Sequence, residues 1–209
     1  EGHCRHKKQS GGAGQFGEVM LRVEPLERGA GFEFVDVVKG GVIPGVFMAS
    51  VEKGVRQALA DGVVAGFPLQ DLRVTVYDGK THAVDGKDIA FVTAGRKATI
   101  DAVLKASPMV LEPLVNIEVL APEDSIGDLT GDLASRRGHV TGTQPRVDGN
   151  VAISGLIPLA ELDEYQGRLK SLTAGKGSYS ISFSHYAQVP AQTQQQLASQ
   201  FKAESLADD

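Results

Sequence analysis

Val19, Leu21 and Val23 alternate with polar neighbours, and so do Leu72, Val74 and Val76. A period of two places such residues on one face of a half-buried strand. Residues 32–38 are more continuously apolar and are predicted as a third strand. Between these runs the apolar positions recur every fourth residue, at Phe47, Val51, Val55 and Leu59, which predicts a helix with one apolar stripe that ends at Asp61-Gly62. A second helix is predicted over about 88–106, with Val92, Ile100, Val103 and Leu104 turned inward. Pro108 and Pro113 then bracket a short connector.

Beyond it Val115, Ile117 and Val119 alternate, and Ile126, Leu129 and Leu133 follow at helical spacing, with Gly138 suited to a left-handed C-cap. Residues 140–146 and 150–157 read as strands around the hairpin dipeptide Asp148-Gly149. Leu162, Tyr165, Leu169 and Leu172 form another helical stripe, and Tyr179, Ile181 and Phe183 alternate with serines in a last strand. The order β-α-β-β-α-β is that of a ferredoxin-like sandwich, so the fold class is α+β. The expected organisation is a first domain over 1–112, a second over 113–190, and a polar tail over 191–209 in which 193–201 forms at most a loose helix.

Composition narrows the function classes. A hydrophobic share of 42% and a charged share of 22% in 209 residues suit two folded cores rather than a disordered chain. The net charge of -5 argues against attraction of the whole chain to nucleic acid. The acidic excess belongs to residues 113–209, with 7 basic and 12 acidic residues, whereas 1–112 balances 14 against 14. Any nucleic-acid contact must therefore rest on local features. No apolar run reaches the roughly 18 residues of a membrane span, and the first ten residues are polar, so the expectation is a cytoplasmic protein with no membrane partner. Cys4 is the single cysteine; with His3 and His6 it reads as part of a polar free end, and no metal site is expected.

The glycine run from Gly11 to Gly17 offers closely spaced backbone amides of the kind that cradle phosphate, or simply a flexible hairpin loop. It is not a nucleotide P-loop. That motif needs G-x-x-x-x-G-K-[ST], and Gly79-Lys80, Gly86-Lys87 and Gly175-Lys176 all lack the upstream glycine. His82 follows the Asp78-Gly79 turn signal and reads as a loop histidine, solvated or contacting a partner.

Two stretches carry more than fold class. Lys7-Lys8-Gln9-Ser10-Gly11-Gly12-Ala13-Gly14-Gln15-Phe16-Gly17 resembles the opening of the fourth domain of the elongation factor G family. Ile126-Gly127-Asp128-Leu129-Thr130-Gly131-Asp132-Leu133-Ala134-Ser135-Arg136-Arg137-Gly138 resembles the first helix of that family's fifth domain. Lys39-Gly40-Gly41-Val42-Ile43-Pro44, Tyr77-Asp78-Gly79 with His82, Val84-Asp85 and Leu111-Glu112-Pro113 fall between them in the family's order. The resemblance implies an S5 domain 2-like β-α-β fold for the first half, with a left-handed crossover that breaks the usual right-handed rule.

The resemblance also implies a role: a ribosome-binding module of a translational GTPase that promotes transfer RNA and messenger RNA translocation. Its partners would be ribosomal RNA, transfer RNA, messenger RNA and stalk-base proteins. The implied decoding-side tip comprises Ser10, Gly11, Gly12, Gly14, Gln15, Asp78, Gly79 and His82, small residues for close backbone approach and polar ones for sugar or base edges. His82 matches the position that eukaryotic counterparts modify to diphthamide. Arg136, Arg137 and His139 are the implied large-subunit contacts, although arginines closing a helix also complement its dipole. No catalytic residue, cofactor or metal is expected in these residues; GTP and magnesium would belong to a G domain of a longer parent, so the chain itself is expected not to bind GTP. The segment 94–102 and Ala13 depart from the family's usual residues and suit an elongation factor G-like paralogue. The alternatives are a ribosomal protection protein of the tetracycline-resistance type and a free-standing RNA-binding domain pair.

Overall fold

In the computed structural model, which describes residues 1–9 and 11–201, the polar N-terminus is a strand. The expectation of a free end at His3, Cys4 and His6 is thereby corrected. β1 (Gly2–Lys8) pairs antiparallel with β2 (Gln15–Pro25), from Gly2 opposite Leu21 to Lys8 opposite Gln15. Its inward residues are too small to announce themselves by hydrophobicity. Gly2 lets the Ala98 carbonyl and Ala102 approach where a side chain would stand. Cys4 is half-buried, and burial pushes its thiol pKa upward, which keeps it an unreactive thiol.

β3 (Phe32–Asp36) runs parallel to β4 (Leu72–Lys80), which lies antiparallel to β2, so the four-stranded order is β1-β2-β4-β3. Helix α1 (Met48–Asp61) connects β3 to β4, and α2 (Asp88–Lys105) follows. Their apolar faces meet the sheet at Val19, Leu21, Val74 and Val76, with Val51, Val55, Phe91, Ala94 and Ala98 completing the core. The expected inward set of α2 needs correction: Leu104 is 48% exposed, while Phe91, Ala94, Gly95, Ala98 and Ala102 are buried. Spacings of three and four residues link this buried set, but most members are alanine or glycine. Close helix packing, rather than large side chains, selects that face.

Asp78 and Gly79 are not a turn; they continue β4 opposite Met20 and Val19. Gly79 holds this position because a Cβ there would meet the Glu18 carbonyl oxygen and Ile43. The reversal comes later, over residues 81–87.

The second half builds β5 (Leu111–Pro122), α3 (Ile126–Ser135), β6 (His139–Pro145), β7 (Asn150–Pro158), α4 (Tyr165–Leu172) and β8 (Ser178–Gln188). The sheet order is β6-β7-β5-β8, antiparallel throughout. Val115, Ile117, Val119, Leu129, Leu133, Ile153, Ile157, Tyr165 and Leu169 form its core. Ile181 and Phe183 stand opposite Ile117 and Val115, yet they are 45% and 60% exposed because β8 is an edge strand. Helix α3 ends in a Schellman arrangement in which Gly138 N–H donates to the Leu133 carbonyl and Arg137 N–H to that of Ala134. The left-handed residue is Arg137, at φ 61°, and not the expected Gly138. Gly138 serves close approach instead, since its Cβ would lie 2.7 Å from the Leu133 oxygen.

Residues beyond 190 form helix α5 (Ala191–Gln200) where a polar tail was expected. It belongs to the compact unit made by residues 1–110, and residues 111–190 make the other. Gln194 joins α5 to that unit: its Oε1 accepts from Val110 N–H at 3.0 Å and its Nε2 donates to the Pro108 carbonyl at 3.1 Å. Among the described residues no helix is long and apolar enough to cross a membrane.

Tyr165 carries one testable oddity. Its ring is fully buried against Tyr179, and its hydroxyl has no hydrogen-bond partner among the described residues. Burial, and secondly Asp132, pushes the phenol pKa up to about 12. Tyr165→Phe is therefore expected to keep or raise stability, by up to about 1 kcal/mol, because an unpaired buried hydroxyl is removed. A loss above about 1 kcal/mol in urea unfolding would show that the hydroxyl is satisfied after all.

Candidate nucleic-acid interface

The β1-β2 hairpin end and the loop after β4 meet. Phe16 N–H donates to the Asp85 carbonyl at 2.7 Å, and Phe16 bridges to Gly86. Residues 11–17 and 81–86, distant in sequence, therefore share one end of the first unit. Ser10 lies outside the described residues. Gly11 and Gly12 take φ of 83° and 142°, backbone states open to glycine, with nothing near a would-be Cβ. Gly14 serves a different need: a Cβ there would collide with the Asp85 carboxylate.

The polar candidates divide. His82 is exposed, with its Nδ1 accepting from the N–H groups of Val84 at 3.3 Å and Asp85 at 3.2 Å. Occupying Nδ1 as an acceptor leaves the ring proton of the neutral form on Nε2, which faces away as a donor. Asp85 Oδ2 sits 3.6 Å from Nδ1. Gln15, an implied contact residue of the tip, is half-buried, its Oε1 3.1 Å from His6 Nε2. Asp78 is exposed, with its carboxylate turned back to the Gly79 N–H at 2.8 Å. Asp78 and Gly79 thus border the loop from β4, without forming it.

Phe16 and Asp85 stand in the family-like motifs of the sequence but were given no role there. Phe16 is buried beneath the end of the hairpin, with the Arg5 guanidinium 5.4 Å from its ring and His82 at 6.2 Å. Motif membership and the three-residue spacing from His82 to Asp85 were the available signals, and neither shows that the two segments meet.

In the second unit both arginines are engaged. Arg137 Nη1 and Nη2 donate to the two Glu112 oxygens at 2.7 and 2.9 Å, and its Nε donates to Glu161 at 2.8 Å. The Glu112 hydrogen bonds, reinforced by Glu161, raise the Arg137 pKa against the opposing effect of desolvation. Arg136 donates to Asp132 at 3.1 Å and to the Glu161 carbonyl at 2.7 Å, and it covers the Tyr165 ring. His139 is exposed at the start of β6. Among the described residues no cluster of three or more His, Cys, Asp or Glu side chains is arranged to hold a metal ion.

Comparison with known proteins fits both units. Residues 1–107 match the family model described as elongation factor G, domain IV, and residues 109–197 match elongation factor G C-terminus. The chain belongs to the elongation factor G family. An elongation factor G from Aquifex pyrophilus is 48% identical over 190 residues, covering 90% of this chain and 27% of that protein. A crystal structure of a Thermus thermophilus protein superposes with a TM-score of 0.74 at 39% identity, over 95% of this chain and 30% of the other. The chain thus spans less than a third of the length of these relatives and corresponds to the C-terminal domains of elongation factor G.

Proposed function

We propose that these residues are the ribosome-binding part of a translational GTPase, and that the paired loops enter the decoding side as transfer RNA and messenger RNA move. The observation that carries this reading is the joined hairpin and His82 loop, with His82 Nε2 presented outward as a donor. Small residues beside it allow a nucleic-acid backbone to come close, and an imidazole N–H suits a phosphate, a 2′-hydroxyl or a base edge. GTP and magnesium would act in a G domain of the parent, and the setting would be the cytoplasm. We also propose that the β3-α1-β4 connection is the left-handed crossover of an S5 domain 2-like fold and that the second unit is a ferredoxin-like sandwich, readings with which the parallel β3–β4 pairing and the order β6-β7-β5-β8 agree.

For the second unit we propose contacts to large-subunit RNA and stalk-base protein near α3 and β6. His139 has the more available side chain there, because Arg136 and Arg137 already donate within the fold.

The test uses the full-length parent. His82→Ala is expected to slow translocation about tenfold, the equivalent of one charge-assisted hydrogen bond, and to leave single-turnover GTP hydrolysis nearly unchanged. Translocation at the wild-type rate would remove the role assigned to this tip.

A further inference from the structure

We infer that the end carrying His82 has a third finger, residues 37–43, and that Lys39 on it joins Lys7, Lys8, Lys80 and Lys87 in gripping RNA phosphates. This rests on the ribosome-binding reading and extends it to a segment and a set of side chains.

The placement comes from two anchors. Val37 N–H donates to the Val76 carbonyl at 3.0 Å as the chain leaves β3. Ile43, only 3% exposed, then packs under Gly79, three residues further along β4 toward the hairpin. Phe47, next in the chain, reaches Gly86 at the base of the His82 loop and stacks on Phe91 at 4.7 Å. Residues 38–42 therefore travel beside the last residues of β4 toward the end where the other two loops meet. Gly40 and Gly41, at φ of 69° and 66°, have open space around them, and Lys39 and Val42 are exposed.

Charge placement points the same way. Elsewhere in the first unit five cations are matched, Arg22 with Glu24, Arg56 with Glu52, Arg73 with Glu33, Arg96 with Asp61 and Lys105 with Asp101. Arg28, beyond the far end of β2, and Lys53, on α1, have no carboxylate within ion-pair reach among the described residues, so it is the gathering of unmatched lysines at one end that is particular. Lys7, Lys8, Lys39, Lys80 and Lys87 have no carboxylate within ion-pair reach among the described residues. Acids do stand nearby, but most are occupied by local donors. Asp36 accepts from Val38 N–H at 2.9 Å, Asp78 from Gly79 N–H at 2.8 Å and Asp88 from the Ser50 hydroxyl at 2.7 Å, while Asp85 lies beside His82. Carboxylates held to the fold by hydrogen bonds and lysines left without partners make an end that meets polyphosphate with its cations foremost. A five-lysine grip explains how a chain of net charge -5 meets RNA at one end.

The experiment is co-sedimentation of this 209-residue chain with purified ribosomes across a series of KCl concentrations. Each phosphate contact contributes about 0.7 to 0.9 to the slope of log affinity against log salt. Lys39→Gln is expected to reduce the slope by about that amount, as Lys7→Gln and Lys80→Gln do. Lys53→Gln, on the exposed side of α1, is expected to change nothing. If Lys39→Gln leaves the slope at the wild-type value while Lys7→Gln and His82→Ala weaken binding, the third finger is overturned and the two-loop tip stands. If the unmodified chain shows no salt-dependent binding to ribosomes, the finger and the ribosome-binding reading both fail.

Discussion

Gly54→Val is expected to destabilise the first unit by about 3 kcal/mol or more, the upper range for overpacking, because its neighbour is backbone. A Cβ on Gly54 would collide with the Val92 carbonyl oxygen and lie 2.8 Å from Arg96 N. From the facing helix Gly95 meets Val51 in the same way, with a would-be Cβ 2.7 Å from the Val51 oxygen. Neither contact is relieved by turning a side chain, so α1 and α2 must separate and expose Val51, Val55 and Phe91. Gly54→Ala is expected to be milder, since alanine's helix propensity returns about 1 kcal/mol. Gly127→Ala on α3, where a Cβ has open space, should stabilise by a similar amount. Urea midpoints of the three variants check the ordering. A Gly54→Val midpoint equal to wild type would mean that the two helices are not packed backbone to backbone.

Glu112→Ala is the second large effect, expected to cost about 2 kcal/mol. The change leaves Arg137 with Glu161 as its carboxylate partner and opens the bidentate pair at 2.7 and 2.9 Å. Fully buried pairs lose roughly 3 to 5 kcal/mol when one member is removed, but the Arg137 side chain is 33% exposed, and solvent screens part of that loss. A double-mutant cycle with Arg137→Ala isolates the coupling. Coupling near zero would show an ordinary solvated surface pair. A large value would show that Arg137, at its left-handed φ of 61°, is held to end α3 and start β6.

These outcomes separate what was legible in the chain from what was not. Alternation at Val19, Leu21, Val74, Val76, Val115, Ile117 and Val119, together with the four-residue spacing of Val51, Val55 and Leu59, located strands and a helix, because a repeating apolar face has few ways to be buried. Ordered motifs around Gly11–Gly17 and Ile126–Gly138 carried the family. Where the signal failed, the deciding residues were small or lay at an edge. β1 buries Gly2 and half-buries Cys4, α2 buries alanines in preference to Leu104, and β8 leaves Phe183 exposed because it has a neighbouring strand on one side only.

The site followed the same division. Glycine and histidine in loops suggested a tip, but the sequence does not show that Phe16 N–H bonds to the Asp85 carbonyl, or that Asp78 and Gly79 remain in β4. Nor does it distinguish a committed arginine from a free lysine. Arg137 acquires Glu112 and Glu161 as partners because the Schellman turn brings β5 and the segment before α4 to its guanidinium, across spans of 25 and 24 residues. Local periodicity determined which residues face inward, since it depends on neighbours a few positions away. Tertiary structure alone decided which charges are matched and which loops meet, since both depend on chain segments brought together only when the sheet and helices close on their cores.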